Sequence, residues 1–462
     1  MIYFNISFYI LAVLGNFLSD SHNKTFHVNV EAEETVYTYA PANNGASPMW
    51  TYGNTCIVRY NDKVFASGLE TLNDVKPLHN TRWTLYERNE EGWKLSLADL
   101  KDRTREPSPL GLMQDGRLLL SVNPTLTKPD AYSGPAQPQI LQFDVEHLSA
   151  HNKILNPVWN GNPKFTEHSY RSFAVDGQAN EMILFQNIGN THIVWSFMDA
   201  AGNWSAQGRL EWPVEDDYPD HNGAIRVCYP AVQLKDREVY FLGVSDIMEP
   251  NMVWRDYKFK LTGQKWDYDF RRLFYTYSKD ITTGKFENWV EISSREKTGG
   301  WITPCDLWVA PDGLAHILWL ERALDERLWE DFFPDEKQSI ALNYAIIKDG
   351  EVMFRKPILT GTPEDDLIPG RGRFQITEDK RLFVFYYVQG GPSDVKENRI
   401  IEIGIKDHQF SNPIKVNLER PLSQFYSATV RGGSSPSSFM DILGKDDAHE
   451  MRYVQIKIGT GL

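Results

Sequence analysis

The sequence is poor in cysteine, in positive charge and in helical periodicity, and each shortage excludes something. Three cysteines in 462 residues, Cys56, Cys228 and Cys305, cannot build a disulfide framework, and their spacing matches no zinc motif. Small buried residues are the plain reading of them, with one disulfide or a shared metal ligand as the alternative. Forty-eight Lys and Arg against 62 Asp and Glu leave a formal charge of −14, which argues against nucleic acid as a partner. Beyond the N-terminus no apolar run is long enough to span a membrane as a helix. No stretch of ten or more residues holds a 3.6-residue apolar period, and the segment Glu321 to Trp329 is the one read as a helix.

What the chain has instead is aromatic residues, 13% of the total with 14 Trp and 21 Tyr, and an apolar fraction of 41% that can fill a large core. The first nineteen residues carry no charged side chain, and the run from Phe8 to Leu18 suits the core of an export signal. Residues 1–20 are therefore expected to be a cleaved signal that places the mature protein outside the cytoplasm, as a secreted, periplasmic or cell-surface protein. A buried N-terminal strand or a lipid-facing anchor is the alternative.

From Asn54 onward the chain repeats one unit: strand, tight polar turn, strand, variable loop, strand, turn, strand. The third copy, HSYRSFAVDGQANEMILFQNI followed by THIVWSFMDAAG and WSAQGRLEW, shows the rhythm most clearly. Six such units are complete. A seventh, starting at FYSATVRGG, stops one strand short, and the alternating FHVNVEAEE near the N-terminus supplies the missing strand. This predicts an all-β fold, a seven-bladed β-propeller of four-stranded blades occupying residues 21–462 as one domain and closed by a strand from each end of the chain. Phe26 to Ala32 should pair with Tyr453 to Ile458. Turns at Asn89–Trp93, Asp199–Trp204 and Ser278–Trp289 share an acidic or amide side chain, a glycine and an aromatic, and resemble degenerate Asp-box turns.

In a propeller the starts of the first strands face a ligand funnel. Those positions are Thr55, Ser108, His168, Tyr229, Asp306, Arg371 or Arg373, and Tyr426, with Tyr170 beside His168. The starts of the third strands add His192 and Arg271 or Arg272. Between residues 251 and 275 six cations, Arg255, Lys258, Lys260, Lys265, Arg271 and Arg272, outnumber three aspartates, which predicts a local grip on an anionic, ring-shaped ligand. Solvated charges on a strand pair are the alternative.

The segments EHSYRSFAVD, NIGNTHIVW, RVCYPAVQL and FRRLFYTYS resemble propeller polysaccharide lyases of the ulvan lyase type and their sialidase-like relatives. The resemblance implies a β-elimination on an anionic, uronate-containing and sulfated polysaccharide. It places the catalytic roles on His168, His192, Tyr229 and Arg272 or its neighbour Arg271; the cationic stretch and the funnel positions make Arg255, Arg271, Lys258, Tyr170, Asp306, Arg371 and Arg373 the residues expected to bind substrate. About two dozen residues, 247–270, depart from the family pattern and make Arg255 a rival for the arginine. The residue types suit the reaction, since removal of the proton beside a uronate carboxylate needs a cation on the carboxylate and a group to take the proton. Each of the four catalytic candidates could equally be a packing or ion-paired residue. A glycoside hydrolase, with Asp306 as one of two funnel carboxylates, and a non-catalytic carbohydrate-binding propeller remain the alternatives. The chemistry requires no cofactor. A structural Ca²⁺ or Zn²⁺ is left open, with Glu215-Asp216-Asp217 and Glu364-Asp365-Asp366 as either Ca²⁺ loops or solvated loops. The protein is expected to act as a monomer.

Overall fold

The computed structural model describes residues 26–76, 78–148, 153–168, 170–216, 218, 220–364, 366–446 and 448–460. The expected export signal lies outside them, as do Asp217 and Asp365 of the two acidic clusters.

Seven four-stranded antiparallel sheets surround one axis. Their inner strands are Ile57–Tyr60 (blade 1), Leu110–Leu112 (blade 2), Arg171–Asp176 (blade 3), Val227–Lys235 (blade 4), Gly299–Val309 (blade 5), Leu367–Ile376 (blade 6) and Gln424–Ser427 (blade 7). Blade 7 takes its outermost strand, Phe26–Thr38, from the N-terminal side and pairs it with Glu450–Thr460, with Val28 opposite Ile458 and Ala32 opposite Gln455. The expected closure is present, and with it the two ends of the described chain share one sheet.

The apolar runs explain why blades stack. Strands inside a propeller are buried on both faces, so successive side chains point at different neighbours. In Glu181–Ile188 of blade 3, Ile183 and Phe185 pack toward blade 4 while Met182 and Leu184 pack toward blade 2. Seven apolar clusters result, one between each pair of adjacent blades, and this distributed core replaces a single central one. The turns after third strands form as the motif implies: Asp199 Oδ1 accepts from the amides of Ala201 and Asn203, and Gly202 takes φ +80°. The three cysteines are free and buried.

The helix assignment needs correction. Glu321–Leu324 finishes a strand of blade 5, Ala315–Leu324, and a short helix, α2, follows at Trp329–Phe332. The longer helix is α1, Met252–Thr262, inside the blade 4 insertion. The Asn251 side chain caps it by accepting from the Val253 and Trp254 amides, and Gly263 ends it in the left-handed region. It escaped the periodicity test because only Trp254 and Lys258 are buried on it. Ion pairs of Lys258, not an apolar stripe, hold it down. None of the helices among the described residues is long and apolar enough to cross a membrane.

Candidate functional site

The axis is closed near its middle by polar packing. The loop after the blade 7 inner strand crosses the channel: the Leu112 amide donates to the Gly432 carbonyl and the Val175 amide to the Arg431 carbonyl. Arg431, itself buried, pairs with Asp306 at 2.5 Å and donates to the Gly53 carbonyl. Arg373 donates to the carbonyls of Phe425, Cys305 and Tyr52. A Cβ on Gly433 would run into the Leu112 carbonyl and one on Gly53 into that of Pro230, so close backbone approach explains both glycines. These contacts make a floor.

Above the floor lies a row of side chains. Arg371 of blade 6 sits over the ring of Tyr52, 4.1 Å from its centroid. Tyr52 stacks on Tyr229 at 5.2 Å, Tyr229 lies 5.7 Å from Tyr170, and Tyr170 meets the His168 ring edge-on at 6.4 Å. Trp50 and Phe270 flank Tyr229 at 5.8 Å each. The sequence builds this row through bulges. In blades 4, 5 and 6 the inner-strand register slips between Cys228 and Ala231, between Pro304 and Asp306, and between Pro369 and Gly372. A proline lies in or beside each slip; the slips in blades 4 and 6 contain Tyr229 and Arg371, whereas the one in blade 5 contains Cys305, buried between blades 5 and 6. Tyr229 takes φ +52° in its slip, a conformation a bulky residue holds only where its surroundings impose it.

The electrostatics assign protons. Arg105 Nη1 stands 2.6 Å from His168 Nδ1. A guanidinium only donates, so Nδ1 accepts and the imidazole proton resides on Nε2. Burial and then the Arg105 charge push the His168 pKa down, which keeps the ring neutral, and half of the side chain remains open to solvent. Burial alone would raise the adjacent Glu167 carboxyl, but the His79 ring and the Glu167 and Gly134 backbone amides hold it at about 2. Burial among rings, then Tyr170 and Asp246, raise the Tyr229 phenol far above its ordinary range, and burial does the same for Tyr170. Among the described residues the Tyr229 hydroxyl has no hydrogen-bond partner and Arg371 makes no ion pair. Arg226 is paired with Asp246 at 2.9 Å and covers the ring of Tyr268.

Of the residues expected to act, His168, Tyr170, Tyr229 and Arg371 come together. His192 does not join them; it lies on the third strand of blade 3 beside Thr191, Arg209 and Glu211. The cationic stretch is corrected by its partners. Arg272 is held between Glu215 and Glu291, the latter at 2.5 Å, and Arg271 among Glu249, Asp269 and Glu296. Lys258 is only 3% exposed, 2.6 Å from both Glu249 and Asp267, and Arg255 binds Asp220 and the Glu249 carbonyl. A count over 251–275 could not include acids at 215, 220, 249, 291 and 296. Arg373 and Asp306 belong to the floor, and Thr55, Ser108 and Tyr426 are buried. Sequence reasoning passed over Trp50, Tyr52, Arg105 and Arg226, because loops before the inner strands were not read as part of the funnel. The prolines of CYPA, TPCD and LIPGRG were the available signal for the bulges. Among the described residues no group of three or more His, Cys, Asp or Glu is set to hold a metal ion.

Fold and row together define a seven-bladed propeller with a stoppered funnel whose aromatic site spans the axis. Among solved structures the chain is similar to the polysaccharide lyase Uly1, at 11% identity and a TM-score of 0.52 over 87% of this chain and 89% of that one. It is also similar, more distantly, to the Penicillium chrysogenum alpha-L-arabinanase, at 10% identity and a TM-score of 0.42 over 93% and 98%. No protein-family profile and no curated protein matches the sequence.

Proposed function

We propose that the protein is a secreted, monomeric polysaccharide lyase that cleaves a uronate-containing polysaccharide by β-elimination, with Tyr229 moving the proton. The observation that carries this reading is the imposed backbone of Tyr229, which holds in mid-row a phenol whose hydroxyl has no hydrogen-bond partner among the described residues, between an arginine that makes no ion pair among them and a neutral histidine. Arg371 pairs with the uronate carboxylate and stabilises the charge that develops when the neighbouring C–H bond breaks. His168 Nε2–H, 3.5 Å from Glu167 Oε1, turns from that carboxylate to donate a hydrogen bond to the sugar on the other side. Burial keeps Tyr229 protonated at rest, so it first releases its phenolic proton to solvent; the phenolate takes the C5 proton, the C4–O bond breaks, and that proton passes to the departing oxygen, leaving a C4–C5 double bond and regenerating the phenolate. This moves the neutralising role from Arg272, which is already paired with two glutamates, to Arg371. Asp306, the carboxylate expected of a hydrolase, is paired with Arg431 in the floor, which favours the elimination.

The test is incubation with uronate polysaccharides while ultraviolet absorbance and reducing ends are followed together. Elimination raises both, because the unsaturated uronate is conjugated. New reducing ends without absorbance would make the protein a hydrolase, and neither signal would leave a binding module.

A further inference from the structure

The blade 4 insertion was expected to carry a cationic grip, and the ion pairs remove it. What the insertion does present is an aromatic face. Trp266, Tyr268, Phe270 and Trp301 line one cavity of about 490 Å³ between the insertion and blade 5. Trp266 is 72% exposed, an unusual state for the largest apolar side chain, and Tyr268 and Trp301 are each 37% exposed. The cavity adjoins the row above the floor through Phe270, whose ring lies 5.8 Å from Tyr229 and 4.7 Å from Trp301.

Its polar lining has no positive charge to spare. Arg327 forks onto Asp325 at 2.7 and 3.0 Å and reaches Asp267 at 2.9 Å. Among the described residues Arg322 has only the exposed Glu326, at 3.4 Å. With Lys258 reaching Asp267 at 2.6 Å and Asp325 at 3.8 Å from behind, three cations balance the three carboxylates and leave no net positive charge to hold a sulfate or a second uronate. They do offer donors and acceptors to hydroxyls, beside flat apolar faces.

We propose that this groove is a remote subsite for an uncharged sugar ring of the same polysaccharide, stacked on Trp266 with its hydroxyls shared between Arg322 and Glu326. The inference rests on reading the Tyr229 row as a polysaccharide site, and it specifies the substrate further: a chain in which the uronate at Tyr229 has an uncharged sugar nearby.

Calorimetric titration of wild type and Trp266→Ala with xylohexaose, mannohexaose, cellohexaose and hexagalacturonate tests it. At least one uncharged hexasaccharide should bind wild type with an affinity insensitive to NaCl. Trp266→Ala should weaken that binding about tenfold, the loss expected when one aromatic face is removed, and leave hexagalacturonate unchanged. Because Trp266 is exposed, the variant should keep the wild-type Tm. The proposal is overturned if no uncharged hexasaccharide binds, if the variant binds as well as wild type, or if its loss falls on hexagalacturonate. A wild-type dimer that Trp266→Ala dissolves would give the face to a second copy and also overturn it. The readout does not depend on turnover. If absorbance never rises with any polymer while the binding results hold, the lyase reading fails and the subsite stands.

Discussion

Arg105 Nη1 approaches His168 Nδ1 to 2.6 Å, and this one contact fixes which histidine nitrogen carries the proton. Burial and Arg105 both depress the His168 pKa. The unfolded chain, with an ordinary histidine near about 6.5, therefore binds the proton first. The associated stability is fully present above that pH and is lost as pH falls toward the folded-state value. In Arg105→Ala the depression should shrink, so His168 should titrate at higher pH by NMR and the fall in Tm from pH 7 to 5 should lessen. An unchanged titration would show that Arg105 does not govern the ring.

Tyr229→Phe should lower kcat by about two orders of magnitude or more, the usual worth of a positioned acid or base. Tm should stay close to wild type, because the hydroxyl holds no protein partner among the described residues. The raised phenol pKa adds a pH signature. Only the phenolate can accept the proton, so kcat/KM should climb about tenfold per pH unit up to about pH 9. A plateau at neutrality would place the base elsewhere.

Arg371 and Arg272 should separate cleanly. Arg371→Ala should reduce kcat by roughly 2 to 4 kcal/mol of barrier, as for other charge-stabilising donors, with little change in stability. Arg272→Ala leaves Glu215 and Glu291 exposed to water and uncovers the Phe274 ring, and should cost about 1 kcal/mol or less in urea unfolding, while the folded enzyme keeps its kcat. The reverse pattern would restore Arg272 to the chemistry.

His168→Ala should reduce kcat by about two orders of magnitude, whereas His192→Ala should leave it within about twofold, since His192 touches only Thr191 and the outer-strand charges. Equal losses would mean that His192 reaches the funnel in the complex.

The fold was legible because a propeller writes itself as repetition. MILF, VYFLGV and RLFVFYYV read as strands buried on both faces, and the count of strands required the N-terminal segment to close the ring. The site was half legible. His168 and Tyr170 stand just before the blade 3 inner strand, as topology implies, whereas Tyr229 and Arg371 lie inside Val227–Lys235 and Leu367–Ile376, in register slips that the repeat pattern does not show. Arg271, Arg272 and Lys258 misled because charge was summed over neighbours in sequence, whereas Glu215, Glu249, Glu291 and Glu296 neutralise them through space. Arg105 was invisible for a similar reason: its partner lies 63 residues further along the chain.

Breaking the Arg431–Asp306 pair, both members buried, should cost about 3 to 5 kcal/mol, because either partner alone is a stranded charge. Asp306→Ala measured by urea denaturation checks this, and a loss under about 1 kcal/mol would mean that water already reaches the pair.

That pair belongs to a partition with a geometric effect of its own. With residues 428–437 laid across the axis, the propeller is a cup and not a pipe. Whatever enters on the Tyr229 side must leave by the same rim, and a long polymer can only be draped over the opening, never drawn through it like thread through a bead. The cavity of about 1020 Å³ on the far side, bordered by Trp308, Lys235 and Lys380, is by the same token a separate room with its own door.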